Sequence, residues 1–285
     1  MRRIGDDKKA RMITTILLFT GTLLALLVPV MMLVAGDSQT FSASAIVTNQ
    51  APTVAVDTGQ SVSGQIATSK VVYIYFNATD KNGYSDLNDS SAQVIINKTG
   101  ETSRTSSSCS VASHPDANTT RYNCSVTIWY WDADGSWTIN ATVSDKTPSE
   151  SQNASITVDL GTLDAISIVE SSLSFTGSPG TDNVPSSPEP QKINNTGNQN
   201  YGTIQVTGID FRNTTIIGVS NVTMNRTDSN GPGDILVNNS AQTLTGGTLN
   251  KGNNSLENIY FWLDIPESTQ PGTYNALSAW TISAS

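Results

Sequence analysis

Two short acidic loops are the first places in this sequence where side chains could act together. Asp80-Lys-Asn-Gly-Tyr-Ser-Asp86 places Asp80, Asn82 and Asp86 two and four positions apart around a glycine, and Asp132-Ala-Asp-Gly135 repeats the theme in shorter form. Oxygen ligands at alternate loop positions, with Gly at the bend, suit calcium, which accepts carboxylate and amide oxygens in flexible geometry. The EF-hand pattern with its terminal Glu is absent. Asn-Gly and Asp-Gly are equally the preferred dipeptides of hairpin turns. Asp80, Asn82 and Asp86 are thus candidate ligands of a structural calcium, turn chemistry is the alternative, and no other cofactor is expected.

Cys109 and Cys124 are the only cysteines. A pair 15 positions apart in an extracytoplasmic segment is expected to form a disulfide, worth about 3 kcal/mol in the chain-entropy model, with two free thiols as the alternative. Catalysis finds no support. His114 is the only histidine and sits in a polar Ser-His-Pro-Asp stretch; no Gly-X-Ser-X-Gly elbow, Walker loop or HEXXH helix occurs. Asp132 and Asp134 occupy adjacent turn positions rather than facing walls of a cleft, so paired-carboxylate hydrolysis has no basis.

The most frequent chemistry is a different one. Asn-X-Ser/Thr acceptor sites begin at Asn77, Asn88, Asn97, Asn118, Asn123, Asn140, Asn153, Asn194, Asn213, Asn221, Asn225, Asn238 and Asn253, a total of 13. A shuffled chain of this composition would carry about six under the same acceptor rule. Asn, Ser and Thr supply 97 of 285 residues, whereas charged residues are 14% against roughly 25% in ordinary soluble domains. In Ser136–Ser144, Trp137, Ile139, Ala141 and Val143 alternate with polar residues and leave Asn140 on the outer phase. The same phase argument puts Asn77, Asn153, Asn221 and Asn225 outward. Acceptors facing solvent can carry bulky glycans without disturbing a core, and N-linked glycans are expected partners.

The N-terminus sets the compartment. The first eleven residues hold five basic and two acidic side chains, a charge of +3, which leaves −12 for the rest of a chain whose net charge is −9. Met12–Gly36 is an uncharged run of 25 residues. A spanning helix needs about 20 apolar residues and a signal core about 7–15. Residues 12–36 are read as the membrane contact, either an uncleaved anchor or a long signal cut near Val34-Ala35-Gly36. Basic charge before the run and acidic sequence after it place residues 37–285 outside the cell. The acidic balance excludes non-specific nucleic-acid binding, which needs clustered Lys and Arg.

Beyond the apolar run, short alternating segments are punctuated by Gly, Pro, Asn-Gly and Asp-Gly, the pattern of all-β sandwiches. Expected strands of a first sandwich, residues 53–160, are 53–57, 70–78, 93–97, 122–131, 137–144 and 154–160. A second sandwich, 161–285, is expected to use 165–175, 202–208, 219–225, 234–238, a central 258–265 and a closing 273–283, with the Pro-rich 176–192 as a surface loop. Residues 37–52 form a linker. Within it Gln39–Thr48 (QTFSASAIVT) is a stalk or edge strand, or else a donor strand for a neighbouring subunit.

Trp129–Asp145 (WYWDADGSWTINATVSD) resembles the penultimate strands of Ig-like and PKD-like modules of archaeal surface proteins. Ile193–Asn198 (INNTGN) and Leu263–Tyr274 (LDIPESTQPGTY) are similar to other segments of such modules. Asp-Ala-Asp-Gly replaces the Gly-Asp-Gly of the PKD group, so the likeness is to the sandwich and not to that subgroup. The resemblance implies a non-enzymatic cell-envelope role in contact with copies of itself or other surface proteins. An S-layer or S-layer-associated subunit is the first expectation; a filament subunit and a surface adhesin or solute-binding module are the alternatives. The aromatic run Trp129-Tyr130-Trp131 motivates the last of these, since one side of it could stack on a sugar.

Overall fold

The computed structural model describes residues 41–57, 61–147, 149–229 and 233–285. The expected helix at 12–36 lies outside them. Among the described residues no helix is long and apolar enough to cross a membrane. The chain divides into two units, 1–48 and 49–285. In the first, residues 41–48 carry no secondary structure and are exposed.

The second unit is all-β, with only three short 3-10 turns among the described residues. Its first half contains β1 (Thr53–Val56), β2 (Ser61–Val62), β3 (Ser69–Thr79), β4 (Gln93–Asn97), β5 (Arg104–Ser113), β6 (Thr119–Trp129), β7 (Gly135–Ser144) and β8 (Glu150–Leu160). They hydrogen-bond in the order β1-β3-β6-β5-β4-β7-β8-β2. This sheet folds over on itself because two segments change layers. β5 pairs with β4 through Thr105 and Arg104, passes a register shift between Ser106 and Ser108, and continues on β6. Such a bulge bends a strand enough to turn a corner. At the other end β1 pairs with β3, and β2, just after it, lies parallel to β8.

Between the layers lies one apolar cluster, which includes Phe76, Ile96, Tyr122, Val126, Trp137, Ile139, Val143 and Val158. Trp137 is fully buried and satisfies its indole N–H on the Ala133 carbonyl at 2.8 Å. The expected strands are all present. β2 and β5 are additional: β2 is two residues long, and the sequence of β5, RTSSSCSVAS, has no apolar alternation to mark it.

The second half has its own cluster, built on Ile193, Val206, Val222, Met224, Leu249, Ile259 and Phe261. Leu256–Leu263 is central there, pairing with Val184–Ser187, Gln191–Asn195 and Val222–Asn225. Two three-stranded sheets flank this array. The expected loop 176–192 therefore contains the strand Val184–Ser187 and the start of another. Pro185 stands inside this strand opposite Trp262, and the strand continues on Ser174–Phe175 through Ser186 and Ser187. The expected strands 165–175 and 273–283 are each broken into two short ones.

The halves are joined by polar contacts around residues 161–165. Asn198 accepts the Leu163 N–H at 2.7 Å and donates to the Gly161 carbonyl at 3.0 Å. A Cβ on Gly197 would stand 2.1 Å from the Leu163 carbonyl oxygen, so only glycine fits. Lys251 pairs with Glu101 at 2.6 Å. Tyr130 donates its hydroxyl to the Gly252 carbonyl at 3.4 Å and accepts the Asn254 N–H at 3.2 Å.

Two further phenols act as donors inside the fold: Tyr122 to Asp89 at 2.6 Å, and Tyr201 to Asp164 at 2.5 Å. Burial first, and then the acceptor carboxylate, push the Tyr201 hydroxyl up to about 12 and that of Tyr122 well above its ordinary value. Both groups hold their proton more tightly folded than unfolded. The stability they contribute is complete below about pH 10, the unfolded value, and is lost as pH rises through the folded values. Urea unfolding midpoints at pH 8, 10 and 11.5 should be flat over the first interval and fall over the second; the Tyr122→Phe, Tyr201→Phe double variant should fall less.

Candidate metal centre

Asp80 is the first residue after β3, and Asp145 the first after β7. The strands belong to different layers, and their C-terminal ends meet at one end of the first half. Between Asp80 and Asp86 the backbone turns through Gly83, whose φ of 106° favours glycine. The loop is pinned to the other layer by the Lys146 N–H on the Asp86 carbonyl at 2.8 Å and by an antiparallel bridge between Leu87 and Asp145.

One carboxylate oxygen from each of Asp80, Asp86 and Asp145 lies within 4.8 Å of the other two. Asp80 is 0% exposed, Asp145 is 1% exposed, and Asp86 is half-buried. Asp80 accepts the Asn82 N–H on Oδ1 at 2.7 Å, while its Oδ2 is buried with no hydrogen-bond partner. Asp145 accepts the Ser149 N–H on Oδ1 at 2.9 Å and the Asn49 side-chain amide on Oδ2 at 2.7 Å. None of the ion pairs among the described residues includes any of the three.

Two unit charges at such a distance repel by roughly 3 kcal/mol at the effective dielectric of a protein surface. Burial raises the Asp80 carboxyl above its ordinary value; the Asn82 N–H opposes the rise, and the charges of Asp86 and Asp145 add to it. A hard, all-oxygen set of this kind matches calcium or magnesium and not a soft metal. These three carboxylates are the residues that could hold such an ion.

Of the expected ligands, Asp80 and Asp86 come together and Asn82 does not join them. Its Oδ1 instead accepts the Gln50 N–H at 3.1 Å. Asp145 was missed, although it is the closing Asp of the Trp129–Asp145 segment. The second acidic loop is structural: Asp132 is gripped through both oxygens by Arg104 and also accepts the Trp129 N–H, and Asp134 accepts the Thr162 hydroxyl at 2.8 Å. His114 stacks on Tyr84 with centroids 4.1 Å apart and bonds Thr120 through Nδ1. In the aromatic run Tyr130 is buried at the joint, while Trp129 and Trp131 stack on each other at 4.8 Å.

Cys109 and Cys124 form a disulfide between directly opposed positions of β5 and β6. No acceptor Asn is buried: Asn118, Asn213, Asn238 and Asn253 are exposed, and Asn77, Asn88, Asn97, Asn123, Asn140, Asn153, Asn194, Asn221 and Asn225 are half-buried. Asn153 departs from the expected outward phase. The β7–β8 ladder shifts register between Ile139 and Ala141, which sets Asn153 opposite the buried Ala141. Its amide nitrogen donates to the Val54 carbonyl at 3.0 Å. An extra residue in one strand inverts the phase beyond it.

Comparison with protein-family models and with curated proteins gives no match. Among solved structures, the secreted serine protease VesC from Vibrio cholerae aligns at 12% identity with a TM-score of 0.22, over 81% of this chain and 50% of that one. The chain thus spans about half the length of that protein, and the likeness is too slight to support any argument.

If the three carboxylates are charged together, removing one charge should stabilise the metal-free protein. Asp80→Asn is expected to gain on the order of 1 kcal/mol in urea unfolding with chelator present. A loss would mean that the Asp80 charge is compensated.

Proposed function

We propose that the chain is a structural glycoprotein of the cell envelope, an S-layer or S-layer-associated subunit held at the extracytoplasmic face through residues 12–36. The observation that carries this reading is the placement of the acceptor sites: 13 Asn-X-Ser/Thr motifs in an all-β unit, with no acceptor Asn buried. The disulfide adds support, since such bonds persist in oxidising compartments. Two tandem Ig-like sandwiches are the proposed architecture. In the first half the layers β1-β3-β6-β5 and β4-β7-β8-β2 follow the strand order of an Ig sandwich, A-B-E-D and C-F-G with an added edge strand. Asp80, Asp86 and Asp145 are assigned a structural calcium ion in this reading. The chain acts by assembling rather than by catalysis.

Glycopeptide mass spectrometry of the native protein tests it. Glycans are expected at Asn118, Asn213, Asn238 and Asn253, and a bare Asn153, whose nitrogen is already bonded. A native mass equal to that of the polypeptide would overturn the glycoprotein, and a cell surface without a two-dimensional lattice in electron micrographs would overturn the S-layer assignment.

One observation favours a filament subunit as the second reading. Phe41, Ile46 and Val47 are 88%, 90% and 84% exposed in a segment with no strand partner, as a donor strand would be before meeting its acceptor. Deleting residues 39–48 should then abolish assembly; unchanged assembly removes this reading.

A further inference from the structure

The acidic cluster is tied to the chain that leads into the β unit. Asn49 and Gln50 are the first residues of that unit, and both are exposed. Each makes a bond that ends on the cluster or its loop. The Asn49 amide donates to Oδ2 of Asp145, itself one of the three clustered carboxylates. The Gln50 N–H donates to Oδ1 of Asn82, whose own N–H holds Asp80. The two tethers thus grip the cluster from its two sides, one on the strand end after β7 and one on the loop after β3.

The cluster bears an independent sign of a missing ligand. Among the described residues, the fully buried Asp80 Oδ2 has no hydrogen-bond partner, and no cationic side chain pairs with any of the three carboxylates. A buried anionic oxygen left in this state is costly unless a cation or proton meets it. The donor set and its position at a surface loop suit a calcium ion held with the modest affinity of extracellular modules, roughly 10⁻⁴–10⁻³ M.

We infer that calcium at Asp80, Asp86 and Asp145 regulates how firmly Asn49 and Gln50, the first residues of the β unit, are held to the rest of that unit. The inference rests on the calcium reading above. Without the ion, three like charges push apart the strand end and the loop that carry the two acceptors. With the ion, Asp145 and Asp80 are drawn to one centre, and Asn49 and Gln50 find their acceptors fixed. Coupling of this kind is reciprocal: whatever factor calcium adds to the tether, the tether adds to calcium affinity. A millimolar fall in external calcium would then release Asn49 and Gln50 from Asp145 and Asn82, with the two cores left intact.

The full-length protein, stripped with chelator and titrated with calcium, gives the test. Thermal unfolding should move to higher temperature as calcium is added, and hydrogen exchange at the Gln50 amide should slow by about tenfold, a coupling of ordinary size. Asn49→Ala, an exposed substitution that removes the donor to Asp145, should weaken calcium binding. Asn82→Ala should keep the thermal shift while Gln50 exchange becomes insensitive to calcium. A thermal shift with unchanged Gln50 exchange, or an Asn49→Ala variant with undiminished calcium affinity, overturns the coupling and leaves the calcium site standing. No thermal shift with calcium overturns the site, and the coupling falls with it.

Discussion

Eleven consecutive residue pairs, from Ser69–Trp129 to Thr79–Thr119, join β3 to β6 without a slip. Much of the first half depends on this register. On one side it stacks Val72, Ile74, Phe76 and Ala78 against Val126, Cys124, Tyr122 and Thr120, all of them buried. On the other it presents Asn77 beside Arg121 and Asn123 beside Tyr75. A slip of one residue would exchange these faces, because side chains alternate with period two. It would also move Asp80, which follows the last pair directly, away from the end of β7. The disulfide reinforces the same register, since Cys124 lies within this ladder and opposes Cys109 on β5. Core, acceptor surface and acidic cluster therefore share one alignment.

What the sequence made legible follows from that alternation. β3, β6 and β7 are readable because each shows apolar residues at every second position over ten or eleven residues. β5 is not readable: it turns a corner between layers, meets the core mainly through Cys109, and so has polar residues on both phases. Asn153 misled for a related reason. Period-two reasoning assumes an unbroken ladder, and the extra residue that inverts β8 has no signature among the small and polar side chains around it. The strands of the second half are short because they are distributed over several small sheets, and two or three residues are too few for a period to emerge.

The candidate site was half visible for a different physical reason. Loop spacing revealed Asp80 and Asp86, which are local to each other, but also suggested Asn82, whose side chain turns away to Gln50. Asp145 is separated from Asp86 by 59 positions and is brought in only by the folding of one layer over the other. The two acidic loops looked alike in sequence and were separated by their surroundings. Asp132 has Arg104 on both oxygens and is a satisfied part of the fold. Asp80 is as deeply buried and, among the described residues, pairs with no cation. Sequence order contains the ligand types, but whether a positive group is near is a property of the assembled layers.

The uncompensated cluster stands out further against the composition. Only 14% of the residues are charged, and the faces of the sheets are covered by neutral Asn, Ser and Thr. A chain so sparing with charge has placed three carboxylates together where repulsion opposes folding, which is the arrangement expected where function and stability conflict. The joint between the halves is built the other way. Gly197, Asn198 and Tyr130 close it with uncharged hydrogen bonds, and the charges it does hold, Lys251 and Glu101, are paired with each other. Paired and satisfied groups thus hold the two halves to each other, and the uncompensated carboxylates sit where Asn49 donates to Asp145.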